Sequence, residues 1–165
     1  MLNNITNRKA ISSIILAPTR ELAIQVHDEL VKLAKYEKLN VVAVYGGAPI
    51  HNQIRDIKRA NIVVGTPGRV LDHIRRGTLP LDSVEFLVLD EADEMLNMGF
   101  IDDMEEIMKS IPEERQTLLF SATMPAQIKK LTKKYLKEDS VHIVIARKEL
   151  TGSCLLYTSP SPRDA

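Results

Sequence analysis

The sequence holds a single cysteine, Cys154, in 165 residues, so no disulfide can form within the chain. Its four histidines, His27, His51, His73 and His142, are scattered and show no metal-ligand spacing. No apolar run approaches the roughly 18 residues that a membrane span needs, and the first residues lack the apolar core of a signal peptide. The chain therefore reads as cytoplasmic, with no membrane partner. Net charge is missing as well: 22 basic residues balance 22 acidic ones. Without a bulk electrostatic footprint, any binding of nucleic acid has to come from local donors. What is present, 44% hydrophobic and 27% charged residues, suits one folded domain with a sizeable core.

One stretch organises the rest. Val84 to Asp93 is an apolar run that stops on three carboxylates, Asp90, Glu91 and Asp93. The core of that run, Phe86 to Leu89, is long enough for a strand buried on both faces and too short for a helix, and such strands belong to parallel sheets. Asp90 then lies at the strand's carboxyl end, where open α/β sheets bind ligands. An Asp-Glu pair there is placed to hold a metal-bound phosphate and the water that attacks it. Taken alone, the pattern supports equally a second reading, in which the three carboxylates only favour the positive end of the following helix.

Along the chain, strands and helices alternate with short connections, the pattern of a parallel sheet flanked by helices. Strands are expected at Ile11 to Ala17, Val41 to Tyr45, Ile62 to Gly65, Phe86 to Leu89, Thr117 to Phe120 and, last, Val141 to Ile145. The first helix has Thr19 as its N-cap and an apolar face of Leu22, Val26, Leu30 and Leu33. A short polar helix is expected over about Asn52 to Arg59. The next has Thr66 as cap, Pro67 in its first position and Gly77 at its end, with Val70, Leu71 and Ile74 inward. A further helical face, Ile101, Met104, Ile107, Met108 and Ile111, stops at Pro112, its methionines filling core. The last helix, from about Pro125, buries Ile128, Leu131 and Tyr135. Its Lys129, Lys130, Lys133 and Lys134 read as a solvated face, with RNA contact the rival reading.

Four strands thus end in polar clusters that open helices: Pro18 to Arg20, Thr66 to Arg69, Asp90 to Asp93, and Ser121 to Thr123. Helix N-termini present free N–H groups and partial positive charge, so several on one edge can follow a nucleic-acid backbone without a basic surface. Routine capping explains Thr19, Thr66 and Thr123 one by one. It does not explain Arg20 and Arg69, each beside a proline-containing helix start, where a guanidinium fork suits phosphate oxygens.

Ala17-Pro18-Thr19-Arg20-Glu21-Leu22, Gly46-Gly47, Thr66-Pro67-Gly68-Arg69, Asp90-Glu91-Ala92-Asp93 and Ser121-Ala122-Thr123 resemble, in order and spacing, motifs Ia, GG, Ib, II and III of the DEAD-box RNA helicases. The resemblance runs from about residue 1 to residue 151 and is nearest to bacterial members. It implies a RecA-like first helicase domain, a P-loop NTPase sheet incomplete at its N-terminus, and ATP-dependent unwinding or remodelling of RNA duplexes. By that similarity Asp90 holds Mg²⁺ through water and Glu91 orients and activates the attacking water. Asp93, Ser121 and Thr123 link the state of the bound ATP to the grip on RNA. Pro18, Thr19, Arg20, Gly46, Gly47, Thr66, Pro67, Gly68 and Arg69 contact the RNA backbone without reading its sequence.

The sequence departs from the family pattern in two places. No Gly-x-x-x-x-Gly-Lys-[Ser/Thr] loop occurs anywhere in the chain, so the lysine and N–H groups that cradle β- and γ-phosphates are not in it, nor is the family's nucleotide-sensing Gln motif. The second RecA-like domain, a partner in the family, is likewise not in this sequence. The expected organisation is a partial RecA-like domain over residues 1–148 and the start of an interdomain linker over 149–152. Residues 153–165 are expected to be a non-native tail, since Cys154 to Asp164 resembles the translation of a sequencing adaptor. Met1 is expected to be an internal methionine of a longer parent, and the chain by itself to be inactive. The rival from another class is a non-catalytic RNA-binding or regulatory module, supported by the missing phosphate loop. A DNA helicase of the same superfamily is less consistent with Asp-Glu-Ala-Asp combined with Ser-Ala-Thr.

Overall fold

Three strands of this chain are apolar at nearly every position, and burial on both faces is what such strands need. In the structure, a computed structural model describing residues 1–5, 8–146 and 153–158, they form the middle of the sheet. These are β1 (Ser13–Leu16), β3 (Ile62–Gly65) and β4 (Phe86–Leu89). All four residues of β1 and of β3 are buried. β2 (Val41–Val44) and β5 (Gln116–Ser121) flank them. The strand order β2-β3-β1-β4-β5 is parallel throughout.

The connecting helices are α1 (Arg20–Ala34), α2 (Ile50–Ile57), α3 (Pro67–Arg75), α4 (Ala92–Asn97), α5 (Ile101–Ser110) and α6 (Ala126–Tyr135). Two separate apolar clusters fill the layers. One packs Ile14, Leu16, Val63, Leu87 and Leu89 against α3 to α6 through Val70, Leu71, Met95, Met104, Ile107, Met108, Ile128 and Leu131. The other packs Ile15, Ala17, Ile62, Val64 and Phe86 against α1 through Leu22, Ala23, Val26, Leu30 and Ala34. The methionines of α5 are core, as expected. Leu33 is not: it is 60% exposed, and Ala34 takes the inward position. The inward stripe of α1 is centred on Ala23, so small residues define a face that the larger ones only border.

Helix ends follow their local chemistry. The Thr19 hydroxyl accepts the Leu22 N–H at 3.2 Å, a true N-cap. Thr66 occupies the N-cap of α3 and Pro67 its first turn, but the Thr66 side chain makes no capping hydrogen bond. At the other end of α3, the Gly77 N–H donates to Ile74 O and the Thr78 N–H to His73 O, the paired bonds of a Schellman motif, with Gly77 at φ 72. The short second helix begins at Ile50, two residues before its expected start, because Pro49 provides the N-cap position.

The far side of the sheet differs from the sequence expectation. Val141–Ala146 (β6) is a strand, but it is followed by another, Ser153–Thr158 (β7), which inserts between β5 and β6 and runs antiparallel to both. Residues expected to be a non-native tail thus pair with β5 over the register Leu118↔Thr158 to Ser121↔Leu155. The physical reason is the unpaired edge of β5, a row of free N–H and C=O groups that any extended apolar segment can satisfy. The expected linker, 149–152, lies outside the described residues, as do residues 159–165. β5 is covered on one face only: Thr117, Leu119 and Ser121 are buried while Leu118 and Phe120 are half-exposed. Val141, Ile143, Val144 and Ile145 of β6 are 42–54% exposed. Apolar faces left open in this way favour association.

Gly65 ends β3 with no room for a side chain. A Cβ there would lie 2.6 Å from Val44 Cγ2, Val44 O and Val70 Cγ2, between a neighbouring strand and the helix that follows. Replacing a strand glycine with alanine ordinarily stabilises. Here Gly65→Ala is expected to lose about 1–3 kcal/mol through overpacking, read as a lower urea midpoint.

Candidate nucleotide and nucleic-acid site

Parallel pairing brings the motif-bearing strand ends to one edge in register. Leu16, Gly65 and Leu89 are mutual neighbours across β3, β1 and β4, so Ala17, Thr66 and Asp90 leave the sheet at the same level. Backbone bonds carry the ladder into the motifs: Ala17 N–H to Gly65 O at 3.0 Å, Thr66 N–H to Val44 O at 3.1 Å and Asp90 N–H to Leu16 O at 2.9 Å. Across the edge the order is Gly46-Gly47, Thr66 to Arg69, Pro18 to Arg20, Asp90 to Asp93, then Ser121 to Thr123.

On the β4–β5 side sits a carboxylate group. Asp90 is half-buried, and burial raises its pKa above the usual aspartate value against the pull of a hydrogen bond from the Glu91 N–H. Glu91 is exposed and its pKa is also raised, first by partial burial and then by the charges of Asp90, Asp93 and Glu94. That direction moves Glu91 toward the range of a working general base. Its backbone is left-handed, φ 50 and ψ 54, at the N-cap of α4. For a non-glycine residue this costs on the order of 1–3 kcal/mol and marks functional turns. Asp93 and Glu94 lie in the first turn of α4, so the helix-end reading of the acidic run is physically realised.

Asp93 faces sideways, not outward. Its Oδ2 accepts from the Thr123 N–H at 3.1 Å and from the Thr123 hydroxyl at 2.9 Å, while its own N–H donates to Ser121 Oγ at 3.1 Å. Ser121 Oγ in turn donates to Thr123 O at 2.6 Å. Thr123 is therefore no helix cap. The helix after it starts at Ala126 behind Pro125. Hydrogen bonds to a charged carboxylate contribute about 1.5–3 kcal/mol each, so the ends of β4 and β5 are tied as one unit.

On the β2–β3–β1 side the groups are cationic. The Arg20 guanidinium lies 4.8 Å from the centroid of the Tyr45 ring and forms no hydrogen bond or ion pair among the described residues. Arg69 Nη1 donates to Ala48 O at 3.0 Å and to Gln53 Oε1 at 3.1 Å. Arg20, Gly46, Gly47 and Gly68 are exposed, Thr19, Thr66 and Arg69 half-buried, and Pro18 and Pro67 buried. The prolines accordingly shape the edge from beneath. Tyr45, Gln53 and Gly65 carry no motif signal and are recognisable only from their contacts. The lysines of α6 are exposed, and Lys134 pairs with Glu105 at 2.6 Å.

The parallel sheet flanked by helices agrees with what comparison shows. A DEAD/DEAH box helicase family model matches residues 1–131. The chain belongs to that family. It is 54% identical over 144 residues to the DEAD-box ATP-dependent RNA helicase CshA of Bacillus subtilis, and 59% identical over 143 residues to the ATP-dependent RNA helicase CshA of Listeria monocytogenes. Those alignments cover 87% and 86% of this chain but only 29% and 27% of the relatives' lengths. Among solved structures, a DEAD box protein from Methanococcus jannaschii superimposes with a TM-score of 0.80 at 53% identity, over 83% of this chain and 38% of that one. A hypothetical ATP-dependent RNA helicase from Sulfolobus tokodaii gives 0.74 at 42% identity, over 78% and 39%. The fold is the RecA-like sheet of these helicases.

Because the folded-state pKa of Asp90 is raised, its ionised form opposes folding at neutral pH. The contribution of Asp90 to stability is therefore greatest below the ordinary aspartate pKa and declines as pH rises through the folded value. Asp90→Asn is expected to melt at a higher temperature than the parent at pH 7. The gap should close as pH is lowered into the carboxylate range, as scanning calorimetry across pH would read.

Proposed function

We propose that the parent protein is a cytoplasmic ATP-dependent RNA helicase, coupling ATP binding and hydrolysis to remodelling of RNA duplexes, and that this chain supplies part of its first RecA-like domain. The observation that carries the reading is the Asp93–Thr123–Ser121 bridge. It joins the carboxylates proposed to serve ATP to the neighbouring strand end through hydroxyls that perform no chemistry. In this reading Asp90 holds Mg²⁺ through water. Among the described residues no group of three or more His, Cys, Asp or Glu side chains converges on a metal. A strand end offering the Asp90 and Glu91 carboxylates suits Mg²⁺, which keeps its waters and takes one or two carboxylates plus substrate phosphates. Bound Mg²⁺ would neutralise phosphate charge. Glu91, with its raised pKa, orients the attacking water and accepts its proton.

RNA lies, on this proposal, along the β1–β3–β2 side, where Arg20, the Gly46-Gly47 pair, Thr66, Gly68 and Arg69 meet phosphates and sugars. Gly46 supports it in a particular way. A Cβ at Gly46 would meet nothing within 4 Å and its φ is not left-handed, so the fold does not require glycine there. Close approach of a ligand to the backbone is the remaining physical use of the missing side chain. A second RecA-like domain completes the site.

Four measurements test this. Arg20→Ala is expected to weaken single-stranded RNA binding roughly three- to tenfold, equally for oligonucleotides of different sequence and with a shallower salt dependence. Gly46→Ala should lower RNA affinity while leaving the melting temperature unchanged. A loss confined to one base sequence would contradict backbone contact. In the parent helicase, Ser121→Ala with Thr123→Ala should reduce unwinding far more than ATP turnover. The 165-residue chain by itself, with no phosphate loop in its sequence, is expected to show no RNA-stimulated ATPase activity, since phosphoryl transfer depends on positioning and charge stabilisation. Turnover abolished by Glu91→Gln would overturn that expectation.

A further inference from the structure

The glycine pair after β2 is held at both ends by side chains from one buried network. Gln53, on α2, is 6% exposed and carries no family motif. Its amide Nε2 donates to Tyr45 O at 3.0 Å, just before Gly46-Gly47. Its Oε1 accepts from Arg69 Nη1 at 3.1 Å, and the same Nη1 donates to Ala48 O, just after the pair. His73, fully buried on α3, places Nε2 2.9 Å from the same Gln53 oxygen and Nδ1 2.8 Å from the Thr78 hydroxyl.

Donor and acceptor chemistry orients the Gln53 amide. A backbone carbonyl can only accept and a guanidinium can only donate, so the Gln53 nitrogen faces Tyr45 and its oxygen faces Arg69. His73 Nε2–H then donates to that oxygen, and the Thr78 hydroxyl lies within reach of both Nδ1 at 2.8 Å and the His73 carbonyl at 3.2 Å. Burial, and then the nearby Arg69 charge, lowers the His73 pKa and favours the neutral ring, whose bare Nδ1 accepts from the Thr78 hydroxyl. A buried network satisfied at every member has one geometry and resists piecemeal distortion.

We propose that Gln53 is a positioning residue of the RNA-backbone site, locking the Gly46-Gly47 loop and Arg69 into a single unit so that loop and guanidinium meet the same stretch of phosphates together. Arg20, stacked on the Tyr45 ring, is held by the same loop, so three motifs that are distant in sequence share one support. The inference rests on the RNA reading above. Gln53 acts through Arg69 and the loop, touching no ligand.

The test is a double-mutant cycle on single-stranded RNA affinity with Gln53→Met, Arg69→Ala and both together, using a mixed-sequence oligoribonucleotide. Gln53→Met, which keeps the volume and loses the amide, is expected to weaken binding roughly fivefold, and to add little once Arg69 is gone. Full additivity, or no effect of Gln53→Met where Arg69→Ala weakens binding, overturns the positioning role. No effect of either Arg69→Ala or Arg20→Ala overturns the RNA reading itself. Should Gln53→Met fail to fold, ¹⁵N NMR of the unmutated chain decides the network. A neutral His73 ring protonated at Nε2, with slowly rotating Arg69 Nη groups, is the expected signature. An Nδ1-protonated ring or a freely rotating guanidinium overturns it.

Discussion

The hydrogen-bonded ladder through β3, β1 and β4 is the constraint on which everything functional depends. Its register places Leu16, Gly65 and Leu89 side by side, and the bonds from Ala17, Thr66 and Asp90 extend it one residue further. A slip of one residue in any strand would turn its apolar side chains to the wrong face. Burial on both sides makes that slip costly. The edge motifs are therefore held in mutual alignment by the core, and no contact between the motifs themselves is needed to align β1, β3 and β4.

The chain is electrically neutral overall, yet the edge is polarised. Arg20 and Arg69 stand on the β1–β3–β2 side, and Asp90, Glu91, Asp93 and Glu94 on the β4–β5 side. Such separation fits the proposed division between a polyanion on one side and a metal-bound phosphate on the other. The two sides are not independent, because the backbone of Asp90 is bonded to Leu16, the end of the strand that leads into Arg20. Asp93 carries the connection outward to Thr123. Hydrogen bonds thus link the ends of β1, β4 and β5 in one series.

The site is also where the fold accepts cost. Glu91 sits in a left-handed conformation, Asp90 is partly desolvated and Glu91 faces three like charges. Local violations of the rules that govern the rest of a fold are expected at functional positions. The core elsewhere obeys those rules closely, with the Thr19 cap, the Gly77 helix end and the methionines of α5 all placed as their chemistry requires.

The sequence by itself determined the alternation of strands and helices, the buried identity of β4, and the polar clusters at the strand ends, because these follow from local periodicity and from turn chemistry within a few residues. It misplaced Leu33, whose spacing matched a helical face that the smaller Ala34 occupies. It also left β7 out of the sheet, since strand pairing at an open edge is decided by geometry and not by the composition of the pairing segment. Only the tertiary structure decided the order of the motifs along the edge, Gly46-Gly47 next to Thr66 to Arg69 and then Pro18 to Arg20. It alone revealed that Asp93 binds Thr123 and that Gln53 holds Arg69. Those partners lie 16 and 30 residues apart in sequence, where local pattern carries no information. Strand order and helix crossover, not periodicity, set which side chains meet.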